Sequence, residues 1–424
     1  MPLTFGRSVP SLLVLATALS WAPVALAGGR PVPAAGQEAS SPLLPADAFD
    51  LPLRGATPYE PDAPFYTLDW SLGLRGSYSR DGAGERYKAV ALPSVTLTHV
   101  GNRLSFHGTA DGQLSTTGTG VVNVDQARLS AGSALQFNRD ASLATNASLA
   151  MTQESATASD VATDVATTPI EVSAAADATL SQKFGHLNLA LRGNAGRNVF
   201  GATTLVNGTR TDNTSQNSTA GGAGLRLGFQ LTPVLELFAD GAAGRTVFDA
   251  PSTSLGSKLD GNLYTAKAGV AAKWNSTLEA SASVGLGLEH FDDGSLADVT
   301  ATLYDANFTL RPSETLTLTG DFATSIGAVG PNGSGSAKVE STATLGASYT
   351  VNPWLTWRAN AGWHDARYAD SSVTDTGYDL GVGADYQLSR HTRLSADYGF
   401  AHSQIAPNPA TDTHTVSIGV SFQK

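Results

Sequence analysis

The chain of 424 residues contains no cysteine and only two methionines. The absence of cysteine excludes disulfide frameworks, thiolate metal sites and cysteine nucleophiles. If the chain is exported, its stability must therefore come from packing and hydrogen bonding, and a closed β-sheet supplies hydrogen bonds to every strand edge.

Basic residues are in the minority, because 26 Lys and Arg stand against 37 Asp and Glu, for a formal net charge of −11. This charge balance lacks the excess of basic residues that is typical of a nucleic-acid-binding protein, and we expect no nucleic-acid partner. The excess carboxylates either favour cations inside a lumen or decorate solvated loops, and composition alone leaves both interpretations open.

Long apolar runs are missing after the first 27 residues. Hydrophobic residues make up 41% of the chain and the mean hydropathy is −0.07. A membrane-spanning helix needs roughly 18 or more apolar residues in succession, and no later stretch offers them. Any membrane signal must therefore lie in the alternation of residues along strands.

The N-terminal 64 residues differ in composition from the rest. Residues 1–27 carry Arg7, an apolar run and the small-x-small end Ala25-Leu26-Ala27, which predicts a signal peptide; a helical anchor is the alternative. Residues 28–64 hold eight prolines, whereas residues 65–424 hold nine. We interpret 28–64 as an unstructured periplasmic tail, with a binding arm or a pore plug as alternatives.

From Phe65 to Lys424, apolar and polar residues alternate in segments that recur about every 20 residues. In the last segment Val416, Ile418, Val420 and Phe422 share one face, and small polar residues share the other. This period predicts strands with lipid on one side and water on the other. A soluble β-sandwich also alternates, but it would need apolar residues on a second, facing sheet.

Eight tight turns alternate with nine connections that are mostly longer and rich in Gly, Ser, Thr, Asn and Asp. The tight turns are at 99–102, 138–140, 183–186, 231–234, 274–277, 311–314, 351–354 and 388–391. This count predicts a single antiparallel transmembrane β-barrel of 18 strands, with 16 as the alternative. Short turns belong on the periplasmic side, so we expect both termini there.

Aromatic residues bracket several predicted strands, as Tyr264 and Trp274 do, at a spacing that suits two interfacial girdles. Phe137, Phe229, Tyr349, Trp354 and Trp357 would join the periplasmic girdle. Pro93 lies inside a predicted strand, where it removes a ladder hydrogen bond, and we expect a β-bulge there.

The second face of these strands carries charges of both signs. The predicted pore-lining residues are Arg75, Arg128, Glu171, Asp177, Arg192, Arg226, Glu236, Asp240, Lys267, Lys273, Glu279, Glu289, Asp305, Asp321, Arg358, Asp379, Asp385, Arg393 and Asp397. Opposite charges on neighbouring strands would order water and pass polar solutes. The alternative is a closed lumen in which they pair.

Enzyme and metal motifs are weak. Ser105 and His107 share one predicted face, but no acid is marked to orient the histidine, so we do not expect an enzyme. His364-Asp365 is no stronger. The carboxylates of 292–298 and of 157–168 lack the ligand order of an EF-hand, and no phosphate or zinc motif occurs. We therefore expect neither a metal nor another cofactor.

The exported leader, the proline-rich tail and hairpins such as 231–237 and 349–357 resemble the β-barrel porin family of Gram-negative outer membranes. The resemblance covers 65–424. It implies a conduit for polysaccharide or small polar solutes, with outer-membrane lipid and the barrel assembly machinery as partners. Such barrels end on an aromatic assembly signal, here Phe422, although Gln423 and Lys424 follow it. The sequence leaves the oligomeric state open.

Overall fold

The computed structural model describes residues 66–82, 84–116, 122–153, 165–252, 255–328, 335–369, 371–406 and 409–424. The predicted signal peptide and proline-rich tail lie outside these ranges, as does Phe65, the predicted start of the barrel. Within the described ranges no helix is long and apolar enough to cross a bilayer.

Eighteen long strands form one sheet. They are β1 (Thr67–Asp81), β2 (Gly84–Val100), β3 (Leu104–Thr116), β4 (Val122–Gln136), β5 (Ala141–Gln153), β6 (Ile170–Phe184), β7 (Leu187–Phe200), β8 (Ser218–Gln230), β9 (Leu235–Phe248), β10 (Gly261–Trp274), β11 (Leu278–Phe291), β12 (Val299–Leu310), β13 (Leu316–Ala328), β14 (Ala337–Asn352), β15 (Leu355–Tyr368), β16 (Thr374–Ser389), β17 (Thr392–Ile405) and β18 (Thr411–Gln423). The predicted count of 18 is confirmed, and the alternative of 16 is wrong.

The sheet closes because the first and last strands pair. β18 runs antiparallel to β1 from Ser71↔Gln423 to Arg80↔His414, and each strand between them pairs with its neighbours in the chain. Closure removes the open edges that would leave backbone groups without partners in lipid. The structure is therefore an antiparallel barrel of the predicted class.

The two faces of the sheet differ as the alternation predicts. Large apolar side chains on one face are exposed, among them Leu68, Trp274, Leu286, Leu380 and Ile418. In a closed barrel of this size the exposed apolar face is the exterior, and the polar face turns to the interior. The predicted girdle residues, including Tyr264 and Trp357, are exposed on the apolar face.

The eight predicted tight turns all connect strands in the structure. The connections at the other end of the barrel are mostly longer, but only two residues separate β1 from β2. The alternation of short turns with longer connections therefore has an exception at this hairpin. Here β1 and β2 pair along their whole length to Asp81↔Gly84, so the wall itself extends where the other hairpins form loops.

The predicted bulge at Pro93 is wrong. The ladder between β2 and β3 lacks the rungs of Leu92 and Pro93, but its register is the same on both sides of the gap. The bulge lies two strands away on β4, where Asp125 is the extra residue between the rungs Gln113↔Gln126 and Leu114↔Val124. Proline lacks the backbone N–H that would donate to β3, but it adds no residue to the strand. The pairing is therefore interrupted at Pro93 and continues in the same register beyond it.

Candidate functional site: the interior wall

The nineteen predicted pore-lining residues all lie on strands, and all alternate with the exposed apolar side chains. The cross-strand register groups them on one face. For example, Arg226 pairs with Asp240, and Asp240 pairs with Lys267, all on the interior face. A pore-lining role for these residues stays a prediction, because it depends on whether the interior is open.

One group, the β15–β17 cluster, consists of Arg358, Asp385 and Asp397, with Arg75 on β1. Arg358 donates from Nε to Asp385 Oδ2 at 2.7 Å and from NH2 to Asp385 Oδ1 at 3.1 Å. The same NH2 group donates to Asp397 Oδ1 at 2.8 Å. Arg75 lies 3.6 Å from Asp397 Oδ2. Two cations and two carboxylates therefore neutralise one another in this part of the wall.

A second group, the β7–β10 cluster, consists of Arg192, Arg226, Glu236, Asp240 and Lys267. Arg192 forms an ion pair with Asp240, and Arg226 lies 3.4 Å from Glu236. The Arg226 guanidinium also stacks over the buried ring of Phe238, 3.5 Å from its centroid. Lys267 continues the row to Asp305 on β12, at 2.6 Å.

Glycine lets these side chains reach across an intervening strand. Gly383 on β16 pairs with Arg358 on one side and with Asp397 on the other. A Cβ at Gly383 would collide with the carboxylate of Asp397 and lie 3.2 Å from Arg358 NH2. The missing side chain therefore opens the space in which strands two apart make their ion pair.

The ion pairs contribute little to holding the barrel together. The side chains of Arg358 and Asp385 are 42% and 20% exposed. Pairs that remain in contact with water contribute about 0–1 kcal/mol each, whereas every unsatisfied backbone group in lipid costs several kcal/mol. The hydrogen-bonded ladders decide the fold, and the charges set the electrostatics of the interior.

Two predicted carboxylates on the wall formed by β13–β16 lack a cation. Asp321 and Asp379 lie in one row across four strands. Asp321 pairs with Thr344, Thr344 pairs with Gly362, and Gly362 pairs with Asp379. Asp379 accepts a long hydrogen bond of 3.4 Å from Asn360. Among the described residues neither carboxylate forms an ion pair, so negative charge is left uncompensated here.

Residues 324–328 of β13, and residues 335–341, which lead into and begin β14, are called the tip below and depart from the regular wall. Ile326 and Ala337 of the tip are buried against Phe291 and Leu303. Phe291 and Leu303 share the interior face of β11 and β12 with Glu289 and Asp305. The tip therefore folds over the inner surface of its neighbouring strands, an arrangement that strand alternation does not predict.

The sequence does contain a signal for this departure, in the composition of the interior face. At one end of β10–β12 this face carries Leu263, Phe291, Val299, Ala301 and Leu303 around the buried Glu289, which pairs with Leu263 and Val299 and is 4% exposed. Apolar residues on a face that is otherwise wet indicate that something covers them.

The weak enzyme and metal candidates are not assembled into sites. Ser105 and His107 make no hydrogen bond to each other in the described structure, and the His107 imidazole leans over Gly132. The imidazole of His364 lies 3.3 Å from the carboxylate of Asp375, so its acidic partner is Asp375 and not Asp365, which follows it in the sequence. Within the described ranges no group of three or more His, Asp or Glu residues is arranged to hold a metal.

The loop carboxylates of 292–298 are engaged by protein groups. Arg245 lies 2.6 Å from Asp292, and His290 lies 2.9 Å from Asp298. The backbone amide of Ser295 donates to Asp293, and this hydrogen bond lowers the pKa of that carboxyl below its usual range. The second predicted loop, 157–168, lies mostly outside the described residues.

Comparison with protein families gives one match, to the family described as "Putative beta-barrel porin 2", over residues 78–424. The match covers most of the chain and nearly the whole barrel. The chain belongs to this family. It is a porin-like outer-membrane barrel, and the predicted family resemblance is confirmed. No curated protein matches the chain.

Solved outer-membrane barrels are also similar to this porin-family chain. OccK3 (OpdO) of Pseudomonas aeruginosa is 14% identical, with 84% of this chain and 96% of that chain covered and a TM-score of 0.43. OpdK of the same organism, solved with vanillate, is 12% identical, with 84% and 99% covered and a TM-score of 0.43. The siderophore receptor PirA of P. aeruginosa is 12% identical, with 84% and 80% covered and a TM-score of 0.41.

Proposed function

We propose that this barrel is a passive outer-membrane channel for small polar solutes, and that it favours neutral and cationic solutes over anionic ones. The observation that carries this proposal is the charge of the interior face. An 18-strand barrel is wide enough to enclose an aqueous path, and the polar wall suits water. The sign of the wall charge then decides which solutes are enriched inside.

The register allows the charges on the interior face of the described strands to be counted, and it gives 12 cationic and 17 anionic side chains, an excess of five negative charges. The cations are Arg75, Arg86, Lys88, Arg128, Lys183, Arg192, Arg226, Lys267, Lys273, Lys338, Arg358 and Arg393. The anions are Asp69, Asp81, Asp111, Asp125, Glu171, Asp177, Glu236, Asp240, Glu279, Glu289, Asp305, Asp321, Glu340, Asp375, Asp379, Asp385 and Asp397.

Carbohydrate is the solute class that we favour, since hydroxyl-rich neutral molecules match a wall of Ser, Thr, Asn and paired charges. An exopolysaccharide remains a candidate cargo, and the wall charge favours a neutral polymer over an acidic one because like charges repel. Export from the periplasm and import from outside use the same passive path.

The cellular arrangement belongs to the proposal as well. Residues 1–27 would act as a signal peptide, and 28–64 as a periplasmic tail. Both ends of the barrel wall lie at the end with the short turns, since Gln423 donates its amide to His391 and Lys424 donates to Trp70. We place this end in the periplasm, with Phe422 as the signal for the barrel assembly machinery.

A second candidate function is a closed barrel whose external loops bind a partner. The tip favours it, because the tip occupies interior space, and so do the ion pairs that bridge neighbouring strands. Recording from the purified barrel in planar bilayers separates the two candidates. Stable conductance steps support the channel, and their absence at every voltage supports the closed barrel.

The charge preference is tested in the same bilayers under a KCl gradient. We expect a zero-current potential that corresponds to a K⁺ over Cl⁻ permeability ratio above 1. The double change Asp321→Asn and Asp379→Asn removes two uncompensated carboxylates, so the ratio should move toward 1. Asp249→Asn with Asp292→Asn, outside the strands, is the matched control and should leave the ratio unchanged. An anion-preferring wild type would overturn the proposed preference.

A further inference from the structure

The ladder between β12 and β13 is much shorter than its neighbours. It holds six rungs, from Asp305↔Ala323 to Leu310↔Leu318. The ladder between β11 and β12 holds twelve rungs, and the ladder between β13 and β14 holds thirteen. Hence β13 stays paired with β14 to its end, but parts from β12 about halfway along.

The alternation of side chains between the two faces of β13 shows in which direction β13 parts from β12. Ile326 shares a face of β13 with Leu316, which pairs with the exposed Tyr349, so strict barrel geometry would turn Ile326 toward lipid. Instead Ile326 is 5% exposed and packs on Leu303, which belongs to the interior face. The outer face of the tip therefore covers the inner face of β11 and β12, which happens only if the tip has moved into the lumen.

The fit between the tip and the wall is close. A Cβ at Gly287 of β11 would lie 2.9 Å from Ile326 Cδ1 and 3.0 Å from Leu303 Cδ1. At the other side of the tip, Ala369 donates its amide to Ala337 at 2.8 Å, which links the tip to the end of β15. Gly335 has φ = +91°, a conformation that favours glycine, as the chain enters β14.

We propose that the tip is the size-determining constriction of the channel, held in place by the apolar contact of Ile326 and Ala337 with Phe291 and Leu303. This inference rests on the proposed channel function and adds its selective element. A rigid wall would give the full interior width of an 18-strand barrel. Two strand ends that lie over the inner surface reduce that width from one side.

The contact is apolar, so removing it should free the tip while leaving the ladders that hold the barrel intact. The test variant combines Leu303→Ala with Ile326→Ala, which removes packing between two buried side chains. Its matched control combines Leu286→Ala with Ile418→Ala, which are 60% and 67% exposed on the exterior. Gly287→Leu is a second, independent variant, because its side chain needs the space that Ile326 occupies.

The readouts are single-channel conductance and the largest neutral oligosaccharide released from proteoliposomes, with heat-modifiable migration as the check on folding. Both tip variants should conduct more current than the wild type and release larger sugars, and the control should match the wild type. A silent wild type together with conducting tip variants would overturn both the passive channel and the partial constriction, because the tip would then close the lumen fully.

Two outcomes overturn separate claims. If the wild type and both folded tip variants conduct equally and share one size limit, the tip is not the constriction, although the channel function stands. If none of them conducts, the channel function itself is wrong. Since the chain lacks cysteine, Leu303→Cys with Ile326→Cys gives a further check: a short bifunctional thiol crosslinker should join the tip to the wall and keep the wild-type size limit. A crosslinked barrel that passes the larger sugars would contradict the inference.

Discussion

At the scale of single residues, an ion pair on the interior wall depends on a glycine without a side chain as much as on the two charged residues that it joins. Arg358 and Asp397 lie two strands apart, and they meet because Gly383 between them has no side chain. The sequence predicts which face each of the three takes, since parity follows from alternation. It does not predict that Arg358 meets Asp397, because the sequence does not give the register between neighbouring strands.

Arg358→Ala tests the electrostatic role of such a residue. The change leaves Asp385 and Asp397 with one cation fewer, so we expect the K⁺ over Cl⁻ permeability ratio to rise. Stability should change by only about 0–1 kcal/mol, because the pair is partly exposed. Zero-current potentials and the temperature of the heat-modifiable transition measure the two effects. Arg367→Ala, on the exterior face with its side chain 77% exposed, is the control; an equal ratio in both variants would contradict this role.

At the scale of strands, alternation and turn chemistry were sufficient for the number and order of elements. Strands β4, β6 and β12 form although alanine and threonine blur the difference between their two faces. Local sequence failed where neighbours decide the outcome. The bulge lies two strands from Pro93, at Asp125, whose carboxylate is held by Lys88 at 2.7 Å and by Ser115 at 2.7 Å. A bulge placed by such partners on other strands cannot be read from the proline alone.

The closing strand gives a prediction at this scale. Deleting residues 416–424 removes most of the rungs of β18 with both β1 and β17, so the barrel should fail to insert, because each orphan backbone group in lipid costs several kcal/mol. Phe422→Asp should fail as well, since it places a charge on the exterior face. Heat-modifiable migration of the outer-membrane fraction measures both.

Deleting only Gln423 and Lys424 is the control for that experiment. It removes two backbone hydrogen bonds at the end of the wall, from Gln423 to His391 and from Lys424 to Trp70, and leaves Phe422 as the last residue. Insertion should be retained. Folded barrel from the 416–424 deletion would show that the interface between β1 and β18 is not required for closure.

At the scale of the whole molecule, the two faces of one closed sheet meet two different solvents. The exterior is apolar over the band between the aromatic girdles, and the interior carries the charges that this band lacks. Composition and period were enough to predict this division. The alternation of residues did not predict the tip, because its inward fold depends on contacts between the outward face of β13 and the interior side chains of β11 and β12. The apolar residues that the tip covers are the one sequence signal for it.

Efflux of preloaded solutes from proteoliposomes tests the central claim most directly. Glucose, glucosamine and glucuronate have similar size and differ in charge. We predict efflux of all three above protein-free vesicles, with glucuronate the slowest, because the interior face carries an excess of carboxylates. Efflux equal to that of protein-free vesicles for every solute, from barrel that migrates as folded, would contradict the account.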